Sequence, residues 1–198
     1  IKLFGVIIFT GVPLGICIGL IGGRYSQETQ KSIEGARFLT KVIPTLVFLF
    51  WFHYPLQGIL GLVINPFWTT AFVLGAINTV NVSSTISSEL KLLPKIYREA
   101  ALTLGLSLKE AILHIELPLL VRRATPQILF SQASMLEYTL FGSLISVPEL
   151  FRTAQSINAI VYKPVEIYSL LMLFFLMILA PLHLTASWFK KNYHAEYD

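Results

Sequence analysis

The sequence predicts an all-α integral membrane protein, a single domain with about five crossing helices, and three observations carry that reading. The 198 residues are 55% hydrophobic and only 13% charged, with a mean hydropathy of +0.68. Soluble domains carry about 25% charged residues, so most of this surface faces something other than water. The apolar residues gather in runs of the length a bilayer requires, about 20 residues for a hydrocarbon core of about 30 Å. Cutting the chain at five such runs sorts the Lys and Arg residues 12 against 3. The larger set is Arg24, Lys31, Arg37, Lys41, Lys91, Lys95, Arg98, Lys109, Arg122, Arg123, Lys190 and Lys191; the smaller is Lys2, Arg152 and Lys163. Basic residues stay on the cytoplasmic side, which places the N-terminus outside and the C-terminus in the cytoplasm. The pI near 9.2 then reflects membrane topology and not nucleic-acid binding.

The first apolar run covers residues 3–22 and reads as a crossing, with no small-residue cleavage site after it. Gly11, Gly15, Gly19 and Gly23 recur every fourth position and share one helix face. Small residues there let another helix backbone approach closely, either within the subunit or on a second membrane subunit. Pro13 is placed to bend the run, and Cys17, the one cysteine, reads as a small buried hydrophobe. A polar stretch, 24–37, precedes the second run, 38–62, in which His53-Tyr54-Pro55 ends the helix and 57–66 forms an uncharged connection. The third run, 67–90, turns polar in its second half, with Asn78, Asn81, Ser83, Ser84, Ser87, Ser88 and Glu89. The fourth covers 124–147 with Glu137 near its middle, and the fifth 165–189, after a mixed stretch at 148–164.

The polar segment 91–123 holds the most informative pattern. Tyr97-Arg98-Glu99-Ala100-Ala101-Leu102-Thr103-Leu104-Gly105 reads as a short helix, with Gly105 free to take the left-handed conformation that ends it. Ser107 and Glu110 form a capping box that starts a second short helix. Ile115-Glu116-Leu117-Pro118 then leads to the fourth crossing. An ordered amphipathic loop of this length is suited to docking.

Glu99-Ala100-Ala101, Gly105 four residues on, and Leu117-Pro118 together resemble the coupling loop of ABC importer permeases. Lys41-Val42-Ile43-Pro44 sits where the polar amino acid permeases carry Arg-Gly-Thr-Pro, and Ile145-Ser146-Val147-Pro148-Glu149-Leu150 is similar to their Pro-Glu-Leu region. The likeness extends over nearly the whole chain and is to the histidine, glutamine and arginine permease group. It implies the type I importer fold in a bacterial inner membrane, and alternating access coupled to a separate cytoplasmic ABC ATPase dimer. It implies no cofactor in this chain, since ATP and Mg²⁺ belong to the ATPase, and the chain has no phosphate-binding Gly-rich loop with Lys and Ser or Thr. The implied partners are that ATPase, a second permease subunit, identical or homologous, a solute-binding protein and membrane lipid. Glu99, Ala100, Ala101, Gly105, Leu117 and Pro118 would form the coupling surface, with the alanines permitting close approach.

The chain departs from the family within the crossings. Where the family carries an acidic residue and an arginine, Ser84 and Ser87 stand here; Ile96-Tyr97 replaces Gly-Gln; Glu137-Tyr138-Thr139-Leu140-Phe141 replaces Lys-Asp-Thr-Ser-Leu. An unusual solute, the less specific half of a heterodimer, and a repurposed transporter are each compatible with this. The candidate solute path is Asn81, Ser84, Ser87 and Glu137. A mid-membrane carboxylate costs about 2.5–3.5 kcal/mol, so Glu137 either meets a cationic group of the solute or makes a structural hydrogen bond. The serines either line a path or pack helices. Glu149, at the outer mouth, reads as a binding-protein contact or a solvated charge. The four histidines have no metal-ligand spacing. A membrane enzyme is disfavoured by the lack of Gly-x-Ser-x-Gly and His-Glu-x-x-His. A scaffold or a carrier without an ATPase is the remaining rival, though no inverted repeat supports it.

Overall fold

A computed structural model describes residues 2–24, 27–94 and 96–194, and no strand occurs among them. Lys95 lies outside the described residues, as does the side chain of Arg98; both belong to the larger basic set. The helices are α1 (Lys2–Arg24), α2 (Gln27–Val42), α3 (Thr45–His53), α4 (Pro55–Leu60), α5 (Pro66–Leu92), α6 (Ile96–Thr103), α7 (Leu108–Ala111), α8 (Leu117–Tyr138), α9 (Leu150–Val161) and α10 (Pro164–His194). A π turn, Ile112–Glu116, joins α7 to α8, and a 3-10 turn, Thr139–Ile145, follows α8. Among the described residues, Lys2–Arg24, Leu108–Ile145 and Pro164–Asn192 are long and apolar enough to cross a membrane, and the bent pair Gln27–Val42 with Thr45–Leu60 makes a fourth if it is one span, against the five expected.

α5 is the axis of the bundle. It starts on Asn65, whose side chain accepts from the Phe67 backbone N–H at 2.9 Å, and on Pro66 in the first turn. Its face at Leu74, Asn78, Val82 and Ile86 is buried. The glycine stripe of α1 lies on that face within the same subunit. A Cβ added at Gly11 would meet Asn78, at Gly15 Val82, at Gly19 Ile86 and at Gly23 Leu90. Numbers rise together along both helices, so α1 and α5 run parallel. Cys17 lies off this stripe and is exposed, contrary to the expectation of a buried thiol: the four-residue spacing that buries the glycines turns position 17 outward.

Two parallel helices require a return crossing between them, and α2 with α3 supplies it. The return is not the single helix expected from 38 to about 53. Helix begins already at Gln27, and the axis turns by 95° between Val42 and Thr45. Pro44 is the cause: it offers no N–H, and it disfavours helical backbone at the residue before it. Pro44 then opens α3, its carbonyl accepting from Val47 N at 2.8 Å. Beyond Tyr54, residues 57–66 are not simply a connection. Gln57 is buried in α4, donating to Thr69 Oγ1 at 3.0 Å and accepting from Ile64 N at 2.8 Å.

α8 runs antiparallel to α5, since Gln132 faces Asn78 and Arg123 faces Glu89. It begins earlier than the expected 124, at Leu117, and it is continuous with α7 through the π turn. The widened turn, where Leu117 N donates to Ile112 O, lies directly before Pro118, which cannot donate to a residue four back. After α8 the chain reverses at Ser146, whose φ is +73°, with Val147 N donating to Gly142 O at 2.9 Å. Glu149 caps α9, accepting from Phe151 N at 3.0 Å and Arg152 N at 2.9 Å. α10 returns beside α8, where Phe130 and His183 place their rings 5.5 Å apart.

Candidate functional site

Two features of this bundle are candidates for a functional site, an elbow at one end and a polar cavity halfway along.

The elbow comprises α6, α7 and the π turn. Its first corner closes with a full Schellman motif: Leu106 N donates to Ala101 O at 3.1 Å and Gly105 N to Leu102 O at 3.0 Å. Gly105 sits at φ +82°, as the sequence requires. Its second corner is the capping box: Glu110 N donates to Ser107 Oγ at 3.3 Å, and Ser107 N to Glu110 Oε2 at 2.9 Å. These bonds fix the loop without help from another chain. The two alanines face opposite ways. Ala101 is buried and anchors α6 on its own elbow, whereas Ala100 is exposed. Ile96, Glu99, Ala100, Thr103 and Leu104 form one exposed face, with Leu104 81% accessible. Leu117 is half-buried and Pro118 exposed.

One ion pair ties this elbow to the bundle, and two more tie the neighbouring helices together. Arg24 Nη2, at the end of α1, donates to Glu116 Oε2 at 2.6 Å. Arg123 Nε donates to Glu89 Oε2 at 3.2 Å, joining α8 to α5. Lys91 Nζ donates to Glu34 Oε1 at 3.3 Å, joining α5 to α2. The first two pairs are largely buried, so each couples two helices in a low dielectric.

The cavity lies between α2, α5 and α8 and holds about 230 Å³. Arg37, Lys41, Asn81, Thr85, Gln127, Phe130, Ser131, Ser134 and Tyr138 line it. It is level with the middle turns of α5. Of the sequence candidates for a solute path, Asn81 lines it directly, and buried Ser84 accepts a hydrogen bond from Arg37. Ser87 is buried against the glycine stripe at Gly23. Glu137 is exposed on α8 and is not part of the lining. The structure thus brings Asn81 and Ser84 together and leaves Ser87 and Glu137 apart from them. Sequence reasoning missed Arg37 and Lys41, which it counted among the cytoplasmic basic residues, and the α8 face at Gln127, Ser131 and Ser134. The signal was present: the α2 pair is four residues apart, and the α8 residues are spaced four and three apart, each set on one helical face. Above the cavity, Asn78 Nδ2 donates to Gln132 Oε1 at 3.1 Å and Gln132 Nε2 to Asn78 Oδ1 at 3.0 Å, a buried reciprocal pair. Among the described residues there is no cluster of three His, Cys, Asp or Glu side chains suited to a metal.

Comparison with known proteins agrees with this architecture. Residues 11–195 match the family described as binding-protein-dependent transport system inner membrane component. The glutamine transport system permease protein GlnP of Escherichia coli strain K12 is 34% identical over 175 residues, 85% of this chain and 79% of that protein. The probable glutamine ABC transporter permease protein GlnP of Bacillus subtilis strain 168 is 30% identical over 154 residues, 76% of this chain and 70% of that protein. The histidine/lysine/arginine/ornithine permease HisQ of E. coli K12 is 27% identical over 169 residues, 78% of this chain and 74% of that protein. A crystal structure of an amino acid ABC transporter with histidines superposes with a TM-score of 0.82 at 20% identity, covering 96% of this chain and 88% of that one. The chain therefore belongs to the inner membrane components of binding-protein-dependent transport systems: it is a permease subunit of an ABC importer, a transporter component and not a catalytic enzyme.

Proposed function

We propose that this subunit imports amino acids or closely similar polar solutes by alternating access, driven by an ABC ATPase dimer that grips the elbow. The observation that carries this is mechanical. The exposed face of α6, with Glu99 and Ala100 at its centre, is held by the Schellman motif at Gly105 and by buried Ala101. The elbow then continues through α7 and the π turn, past Leu117 and Pro118, into α8 without a break in the helix. A displacement applied at Glu99 is thereby delivered to the helix that forms one wall of the polar cavity. The exposed apolar side chains Ile96 and Leu104 favour a protein partner over water. The relatives named for glutamine and for histidine, lysine, arginine and ornithine support amino acids as the solute class.

In this reading ATP and Mg²⁺ reside in the ATPase, a second permease subunit, identical or homologous, completes the path, and a binding protein delivers solute at the opposite end. The protein sits in the inner membrane with the elbow and the C-terminus in the cytoplasm and the N-terminus outside. The asymmetry of basic residues supports that orientation even with Arg37 and Lys41 set aside. The test is purification of the tagged chain from its native host, followed by cysteine cross-linking at Glu99. An ATPase should copurify and cross-link to position 99. Recovery of the intact particle without an ATPase would overturn the proposal.

A further inference from the structure

We infer that the cavity between α2, α5 and α8 selects a solute of net negative charge, an acidic amino acid over a neutral or cationic one. This rests on the permease reading and narrows its substrate class.

The first observation is the charge of the lining. Arg37 and Lys41 both line the cavity, one helical turn apart on α2, and no carboxylate is among the described residues that line it. Of the acidic side chains within a turn of the lining, Glu34 pairs with Lys91 and Glu89 with Arg123, while Glu137 is exposed and outside the lining. Arg37 donates to the Ser84 hydroxyl, a neutral acceptor. Two cations beside the middle turns of α5, the axis of a membrane bundle, are costly, and such groups mark paths or sites for ions. They persist only if something of opposite charge compensates them.

The second observation is a buried hydroxyl without a protein partner. Ser131 lines the same cavity, and its buried Oγ has no hydrogen-bond partner. Buried polar atoms are almost always satisfied, so this hydroxyl fits a ligand atom. Asn81, Thr85, Gln127, Ser134 and Tyr138 add neutral donors and acceptors around it. A guanidinium can bind one carboxylate through two parallel N–H donors, and an ammonium can neutralise a second as a point charge. The neutral oxygens can receive a solute ammonium. The inventory therefore matches two carboxylates and one ammonium, and its two cations oppose a guanidinium or a second ammonium.

The experiment uses the full complex, with its copurified ATPase, in nanodiscs without the binding protein, so that only the membrane cavity is read. Binding of radiolabelled L-glutamate is competed with L-glutamine and L-arginine. Glutamate should bind at least tenfold more tightly than glutamine, as expected for one added charge-assisted hydrogen bond, and arginine should be weakest. Lys41→Gln should reduce the glutamate preference about tenfold, Lys41→Arg should retain it, and Lys41→Glu should move the preference toward arginine. An equal affinity for glutamate and glutamine would overturn the inference. So would an unchanged charge preference in Lys41→Glu, which would make the cations structural. In either case, continued copurification of the ATPase would leave the permease reading standing; its absence would undo that reading first.

Discussion

Replacing Gly15 by Ala is the sharpest test of how α1 is held. The new Cβ would lie 2.6 Å from Val82 Cβ and 2.9 Å from Thr79 O. Ordinary contact begins at 3.4 Å, so the shortfall against Val82 is roughly 0.8 Å. Neither obstacle is the tip of a flexible side chain; one is a branched β-carbon and the other a backbone carbonyl. Relief therefore requires α1 to lift from α5. Because Gly11, Gly19 and Gly23 sit on the same seam at comparable distances, lifting at one position loosens the others. A gap of 0.5–1 Å forfeits about a quarter to a half of each contact's dispersion energy. Overpacking of this kind costs about 1–3 kcal/mol, and Ala returns about 1 kcal/mol in helix propensity. The rigid obstacles place the cost at the upper end, for a net loss of about 2 kcal/mol. Gly5→Ala is the internal control, because nothing lies within 4 Å of a Cβ there. It should gain up to about 1 kcal/mol from propensity alone. Reversible unfolding in mixed micelles of rising SDS fraction would measure both. If Gly15→Ala matched or exceeded the wild type in stability, the close parallel packing of α1 on α5 would be wrong.

Two further outcomes are expected. Gly105→Ala meets no steric obstacle but must occupy φ +82°, so the elbow should lose about 1 kcal/mol of local stability; ATP hydrolysis per solute imported should rise, and Gly105→Asn, which tolerates left-handed backbone, should recover part of the coupling. In the Asn78–Gln132 pair, Asn78→Leu leaves a buried amide without its partner and should cost roughly 1–2 kcal/mol, while the double variant with Gln132→Leu should cost less than the two singles added, as a double-mutant cycle on thermal stability would show.

Much of the elbow was legible because its signals are local. Ser107 and Glu110 are three residues apart, and Gly105 closes the helix it follows, so each motif is complete within one turn of chain. The glycine stripe was legible too, since a four-residue period defines a face; only the partner, α5, had to come from the structure. The cavity was not legible for a physical reason. A polar helix face reads the same whether it meets water or a polar interior. Arg37 and Lys41 follow a charged, soluble-looking stretch at 27–36, which hides the fact that α2 climbs beside α5. The bend at Pro44 was visible as a proline but not as an angle. At Pro118 the same residue type has the opposite outcome: the helix passes through it, because a π turn absorbs the missing bond. Proline marks where the ladder is interrupted, and the surrounding packing decides whether the chain turns or continues.

That contrast bears on the mechanism. At Pro44 the interruption separates α2, which carries the cavity's cations, from α3, which packs with Leu49 into the core against Leu74 and Met135. At Pro118 the continuity makes α7 and α8 one mechanical piece. Under the proposed coupling, a push at the elbow would reach Gln127, Ser131 and Ser134 directly along α8, whereas Arg37 and Lys41 on α2 are tied to α8 only through α5. The cavity walls carry charge on α2 and neutral hydrogen-bonding groups on α8. Sliding these past each other changes how many groups reach a bound solute at once, and hence its affinity. Such a difference in affinity between two states is what lets a ligand and a motor bias the same equilibrium. A permease whose cations sat on the driven helix would carry its strongest contacts along with the stroke, and the stroke would then do little to release the solute.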